Sequence, residues 1–192
     1  TAEDYFKRAN ASLDKGEYDS AIADYTQAIR LRPVGWGAYN NRGKAYQKRG
    51  DLNAAIADHT EAIKIKPDLA DAFYERSLTY LNLEQLESAL VDCRRAIDLN
   101  PKYADAYVVC GLVLHSKKEF DAAIIEFESA IKLDPKNANA LGAKGDVLVD
   151  REQYKEAAEL FTAALAIQPD LNRAYVQRGW ANYNLGTLNV AL

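Results

Sequence analysis

The sequence predicts an all-α fold, a superhelical (α-α) solenoid of helix-turn-helix repeats 34 residues long. Three observations predict it. The only prolines, Pro33, Pro67, Pro101, Pro135 and Pro169, stand 34 residues apart. Small residues keep the same register: Ala9, Gly43, Ser77, Gly111, Gly145 and Gly179, then Ala21, Ala55, Ala89, Ala123 and Ala157, then Ala28, Ala62, Ala96, Ala130 and Ala164. Bulky residues recur between them: Tyr5, Tyr39, Phe73, Tyr107, Leu141 and Tyr175, with a second series of Tyr25, His59, Cys93, Phe127 and Phe161. Fixed small positions let helix backbones approach closely, where larger residues would overpack the seam.

Within each unit the apolar sites fall at helical spacing, so every repeat contains two amphipathic helices. The first pair is expected near 2–15 and 18–31, the second near 36–49 and 52–65, and the others follow in steps of 34. Gly16, Gly50 and Gly186 mark the turn inside a repeat, where glycine accepts a left-handed helix cap. Each proline disfavours helix in the residue before it, which stops the second helix. A single hairpin cannot bury its apolar face alone, so neighbours must bury it for one another.

A unit of this length, with an aromatic, a small residue, two alanines and a closing proline, resembles the tetratricopeptide repeat (TPR). The likeness covers essentially the whole chain: repeats at 2–35, 36–69, 70–103, 104–137 and 138–171, and a partial one at 172–192, in a single domain. The departures are Ala9 and Ser77 for the usual glycine, Leu141 for an aromatic, and Glu84, Lys118 and Glu152 at turn positions where glycine is common. The resemblance implies a right-handed superhelix whose first helices line a concave groove that holds a partner protein or peptide.

Carried onto this sequence, the groove includes Asn10, Asn41, Lys44, Asp71, Glu75, Asp105, Val108, Val109, Leu112, His115, Asp146, Val176, Gln177 and Trp180. Some relatives grip the C-terminal carboxylate of a partner with a Lys/Asn/Asn/Lys/Arg clamp. Here Asn10 and Asn41 match the two asparagines, but the basic sites read Phe6, Asp71 and Glu75, so an anionic tail would be repelled. The asparagines suit the backbone of a peptide. Val108, Val109, Leu112, Ala143, Val149, Val176 and Trp180 make the second half apolar, which suits hydrophobic anchors. Asp71, Glu75 and Asp105 call for basic character opposite them.

Composition excludes several function classes. Among 192 residues the net charge is −4, with no basic stripe for neutralising phosphates, so no nucleic-acid partner is expected. The longest uncharged apolar run, Ala106 to Leu114, is about half of the roughly 20 residues a membrane span needs. There is no phosphate-binding glycine loop and no His-Glu-x-x-His. His59 occupies a packing position and Cys93 and Cys110 read as inert core thiols, a disulfide being open only if their separation permits it, with two cysteines suiting a reducing, cytoplasmic setting. Neither an enzyme nor a cofactor is expected.

The function expected is a protein-interaction scaffold or adaptor. Its alternatives are a targeting arm of a larger multidomain protein or enzyme, and a self-assembling scaffold. Trp180, Tyr183, Leu185, Leu188 and Leu192 crowd the end of the incomplete last repeat, which suits a longer natural protein or a homo-oligomer formed through that end.

Overall fold

Eleven helices and no strands make up the described residues, 1–186, of the computed structural model. The first three repeats supply α1 (Ala2–Asp14), α2 (Tyr18–Leu31), α3 (Trp36–Arg49), α4 (Leu52–Ile65), α5 (Ala70–Asn82) and α6 (Leu86–Leu99). The others supply α7 (Ala104–Ser116), α8 (Phe120–Leu133), α9 (Ala138–Asp150), α10 (Tyr154–Ile167) and α11 (Asn172–Asn184). These bounds follow the spacing read from the sequence. Leu188 and Leu192 lie outside the described residues.

Among the described residues every helical hairpin turns through a left-handed residue at the same register, and Gly186 after α11 shares that conformation. Gly16, Gly50 and Gly186 have φ of 76°, 97° and 71°, and Glu84, Lys118 and Glu152 adopt 56°, 61° and 60°. After each of the first five, the next residue's amide closes back five residues, as in Asp51 N–H to Tyr46 O at 2.9 Å and Gln85 N–H to Tyr80 O at 2.9 Å. The turn therefore needs the backbone conformation more than it needs glycine. The three charged residues carry a Cβ in a region where it meets the carbonyl, a strain of about 1 kcal/mol each.

In three repeats the glycine of the first helix faces the large residue of its own second helix. A Cβ on Gly43 would meet His59 at 2.7 Å, on Gly111 would meet Phe127 at 2.5 Å, and on Gly145 would meet Phe161 at 2.8 Å. Those three partners are buried almost completely. His59 is thus a packing residue in the place of an aromatic ring. Cys93 and Cys110 are also fully buried, but neither is a free thiol, which corrects the reading of them as inert thiols.

The chain divides into two compact units, Thr1–Pro101 and Lys102–Leu192. In the first, α1 to α6 pack each on the next, and α1, α3 and α5 also touch in sequence. In the second, α7 to α11 do the same, and α9 touches both α7 and α11. Second helices within a unit do not touch one another among the described residues. First helices therefore form a contiguous layer inside each unit. Ala9, Ala21, Ile22, Tyr25, Ala28, Ala38 and Ala45 form one core cluster in the first unit. Leu148, Val149, Ala157, Phe161, Leu165, Ala174 and Ala181 form one in the second.

Candidate functional site

In the first unit the outward positions of the first helices carry a connected polar network. Tyr25 Oη donates to Asn10 Oδ1 at 2.6 Å, and Asn41 Nδ2 donates to the same oxygen at 3.0 Å. Burial pushes the Tyr25 hydroxyl up to about 12, so it stays a donor. Farther along, Lys44 Nζ lies 2.8 Å from Asp71 and 3.3 Å from Glu75. Burial alone would lower the Lys44 ammonium, but its bond to Asp71 and the charge of Glu75 raise it instead. Burial raises the Glu75 carboxyl, against the pull of Lys44.

The same network reaches the core. Asn40 Nδ2 donates to Asp71 at 2.7 Å, which leaves its Oδ1 facing His59 Nδ1 at 3.0 Å. The imidazole therefore donates from Nδ1, and Nε2 is left without a partner among the described residues. Burial first, and the charge of Lys44 second, push His59 down to about 3, so it is neutral. Lys44 offsets one of the two carboxylate charges of Asp71 and Glu75, which weakens without removing the expected demand for a basic partner residue there.

The second unit differs. Val108 and Val109 are only 7% and 3% exposed, so the open apolar surface expected at these two sites is closed. Ala143 and Val149 are buried with them, and Leu112 is half-buried. Asp146 is buried, lies 2.9 Å from Arg173 and has its carboxyl raised by burial against the charges of Arg173 and His115. His115 Nε2 sits 2.6 Å from Asp150. Asp105 is exposed and accepts from Asn137 Nδ2 at 3.0 Å. On α11, Val176 is 72% exposed, Gln177 is half-buried, and Trp180 is exposed with its ring edge-on to Tyr154 at 5.5 Å.

Two features escape the sequence reading. The first is an arginine ladder in the first unit. Arg42 and Arg76 each make a two-pronged bond to Asp58 and Asp92 on their own second helix, at 2.7 and 2.8 Å and at 2.6 and 2.8 Å. Each also donates at 2.9 Å to a threonine of the preceding repeat, Thr26 or Thr60. The signal was present in the 34-residue register of Arg8, Arg42, Arg76 and of Asp24, Asp58, Asp92, but charged residues on a helix read as solvated. The second is a pocket of about 190 Å³ between α1 and the α2–α3 connection, lined by Phe6, Arg32, Val34 and Trp36 among others. Its signal is the run Val34-Gly35-Trp36-Gly37, which breaks the repeat pattern after Pro33.

No cluster of three metal-binding side chains occurs among the described residues, and none of their helices is long and apolar enough to cross a membrane.

Four family models match along the chain. One described as TPR repeat matches residues 9–50, and three described as tetratricopeptide repeat match 37–69, 74–138 and 114–181. No curated protein matches the sequence. Among solved structures the chain is similar to MamA, at 28% identity and a TM-score of 0.74 over 88% of this chain and 92% of that one. It is also similar to YrrB, described as a TPR protein with an unusual peptide-binding site, at 28% identity and a TM-score of 0.69 over 91% and 90%. A thermophilic TPR protein of Thermus thermophilus shares the fold at 21% identity, with a TM-score of 0.79 over 95% and 100%.

Proposed function

Because this chain belongs to the tetratricopeptide repeat family, we propose that it is a protein-interaction scaffold that receives a partner segment on the layer formed by its first helices. The observation that carries the reading is the outward face of α11. Val176, Trp180 and Tyr183 stand on one side of that helix and are 72%, 46% and 61% exposed. Apolar side chains held in water at helical spacing are what a partner's hydrophobic anchors would cover. No catalytic role accompanies it. The sign reversals at Asp71 and Glu75 and their bonds to Lys44 disfavour a carboxylate clamp.

A random-peptide display selection tests this, with a Val176→Lys/Tyr183→Lys variant as counter-target. Both sites are exposed, so the variant keeps the fold. Enrichment of a motif that the variant no longer holds supports the reading. No enrichment, or a motif that the variant retains, overturns it. The same aromatic face would also serve a second copy of the chain, and a molar mass that doubles with concentration in light scattering would favour that second reading.

A further inference from the structure

After each repeat's closing proline, the sequence normally places a polar residue, then a side chain that fills the seam between hairpins. The runs are Asp68-Leu69-Ala70-Asp71, Lys102-Tyr103-Ala104-Asp105, Lys136-Asn137-Ala138-Asn139 and Asp170-Leu171-Asn172-Arg173. Leu171 shows what the seam position does: it packs against the core of the second unit, 3.6 Å from where a Cβ on Gly142 would lie. After Pro33 the run is Val34-Gly35-Trp36-Gly37. Gly35 puts no side chain in the seam, and Gly37 replaces the Asp, Asn or Arg of the other repeats.

The consequence is the pocket of about 190 Å³ beside Phe6, Ala28, Arg32, Val34, Trp36 and Gly37. Its walls are held in place. Phe6 stands edge-on to Tyr25 at 5.9 Å, and the Lys66 ammonium lies 4.6 Å from the Trp36 ring centre. Its rim is apolar and wet. Of the four large exposed hydrophobics in the first unit, Leu31, Val34, Trp36 and Val91, two line this pocket, Val34 and Trp36, and Val34 is 69% exposed. The charge left over is positive. Neither Arg32 nor Lys66 has an ion-pair partner among the described residues, whereas Glu3, also in the lining, is tied to Lys7 at 3.4 Å.

We propose that this pocket is a binding site for a peptide segment that inserts one leucine-sized apolar side chain, as Leu171 does in its own seam, and sets a carboxylate beside Arg32. The inference rests on the chain's being a protein-binding scaffold, but it uses a surface apart from the outward face of α11. The anchor supplies the burial that Gly35 leaves unmade. The flanking carboxylate meets an unpaired guanidinium, which accepts it in a forked hydrogen bond. Charge at such a rim selects partners more than it adds affinity.

The test is amide NMR of the whole isotope-labelled chain titrated with three blocked peptides: Gly-Asp-Leu-Asp-Gly, Gly-Lys-Leu-Lys-Gly and Gly-Asp-Ala-Asp-Gly. The first is expected to shift the resonances of Phe6, Gly35, Trp36 and Gly37. The lysine peptide should bind about tenfold more weakly and the alanine peptide should shift nothing there. Gly37→Leu, which fills the pocket, should abolish the shifts. Arg32→Glu, a surface change that keeps the fold, should reverse the preference between the first two peptides. Equal response to all three peptides, no response, or a response that survives both variants overturns the proposal. Shifts confined to α9 and α11 would also overturn the pocket while leaving the scaffold reading standing.

Discussion

The two units place the same backbone register over different chemistry. In the first, α3 buries only Ala38, Asn40, Gly43 and Ala45, and its flanks are tied by Arg42 to Asp58 and Thr26. In the second, the corresponding helix α9 buries ten residues, from Ala138 to Val149, among them Leu141, Val147 and Leu148. The ladder position there holds Lys144, which reaches Glu128 at 2.7 Å on an exposed surface, and Leu160 stands where the first unit has its aspartates. Hairpins can therefore be joined by directed, charge-assisted bonds or by apolar packing without moving a helix boundary. The directed joint fixes one geometry, since two parallel bonds to a carboxylate constrain the guanidinium plane. The apolar joint depends on volume alone.

Removing one arginine should break that comparison most sharply. Arg76 and Asp92 have side chains only 16% and 4% exposed, and Arg76 lies between the Phe73 and Tyr80 rings. Arg76→Ala strands a buried carboxylate and is expected to cost about 3–5 kcal/mol. Lys144→Ala frees a carboxylate that is half in water and should cost less than about 1 kcal/mol. Guanidinium denaturation of both variants measures the difference, and equal losses would mean the ladder does not hold the first unit.

A middle-sized effect comes from His59. Its folded value near 3 lies below the ordinary 6.5, so its stabilising contribution is whole above pH 6.5 and is lost progressively as pH falls toward 3. Each unit of that window is worth about 1.4 kcal/mol. His59→Phe places in the first unit the ring that the second uses at Phe127 and Phe161, against the same glycine register. Relative to the wild type, the variant should gain about 2 kcal/mol between pH 7 and pH 5, read as a shift in urea midpoint. A constant difference across that range would show that the imidazole titrates normally.

The smallest effect separates turn from sequence. Glu84→Gly relieves a left-handed Cβ but loosens the unfolded chain, so a net gain of about 0.5 kcal/mol is expected. Gly50→Ala, at φ 97°, should lose about 1 kcal/mol. Thermal melts resolve both, and two changes of the same sign would show that the turns are not equivalent.

Helix bounds, turns and the pairing of small with large residues were legible because they depend on local spacing, and a 34-residue period repeats the same local answer. The outward surface was less legible. Val108 and Val109 occupy groove positions by register yet are buried, while Val176, two repeats on from Val108, is exposed. Which of them meets water depends on neighbours from other helices, and no spacing rule carries that. Asn10 and Asn41 show the same limit, since their amides bond each other and Tyr25 before any ligand arrives.

By itself the sequence determined the helices, their hairpin order and the membership of a repeat family, because these follow from short-range sterics and periodic burial. Only the tertiary structure decided which charges are spent internally, as with Lys44 between Asp71 and Glu75, and which are left open, as with Arg32. It also decided that the break at Gly35 leaves a pocket rather than a closed seam. Such outcomes depend on the volumes and charges that distant residues bring to one place.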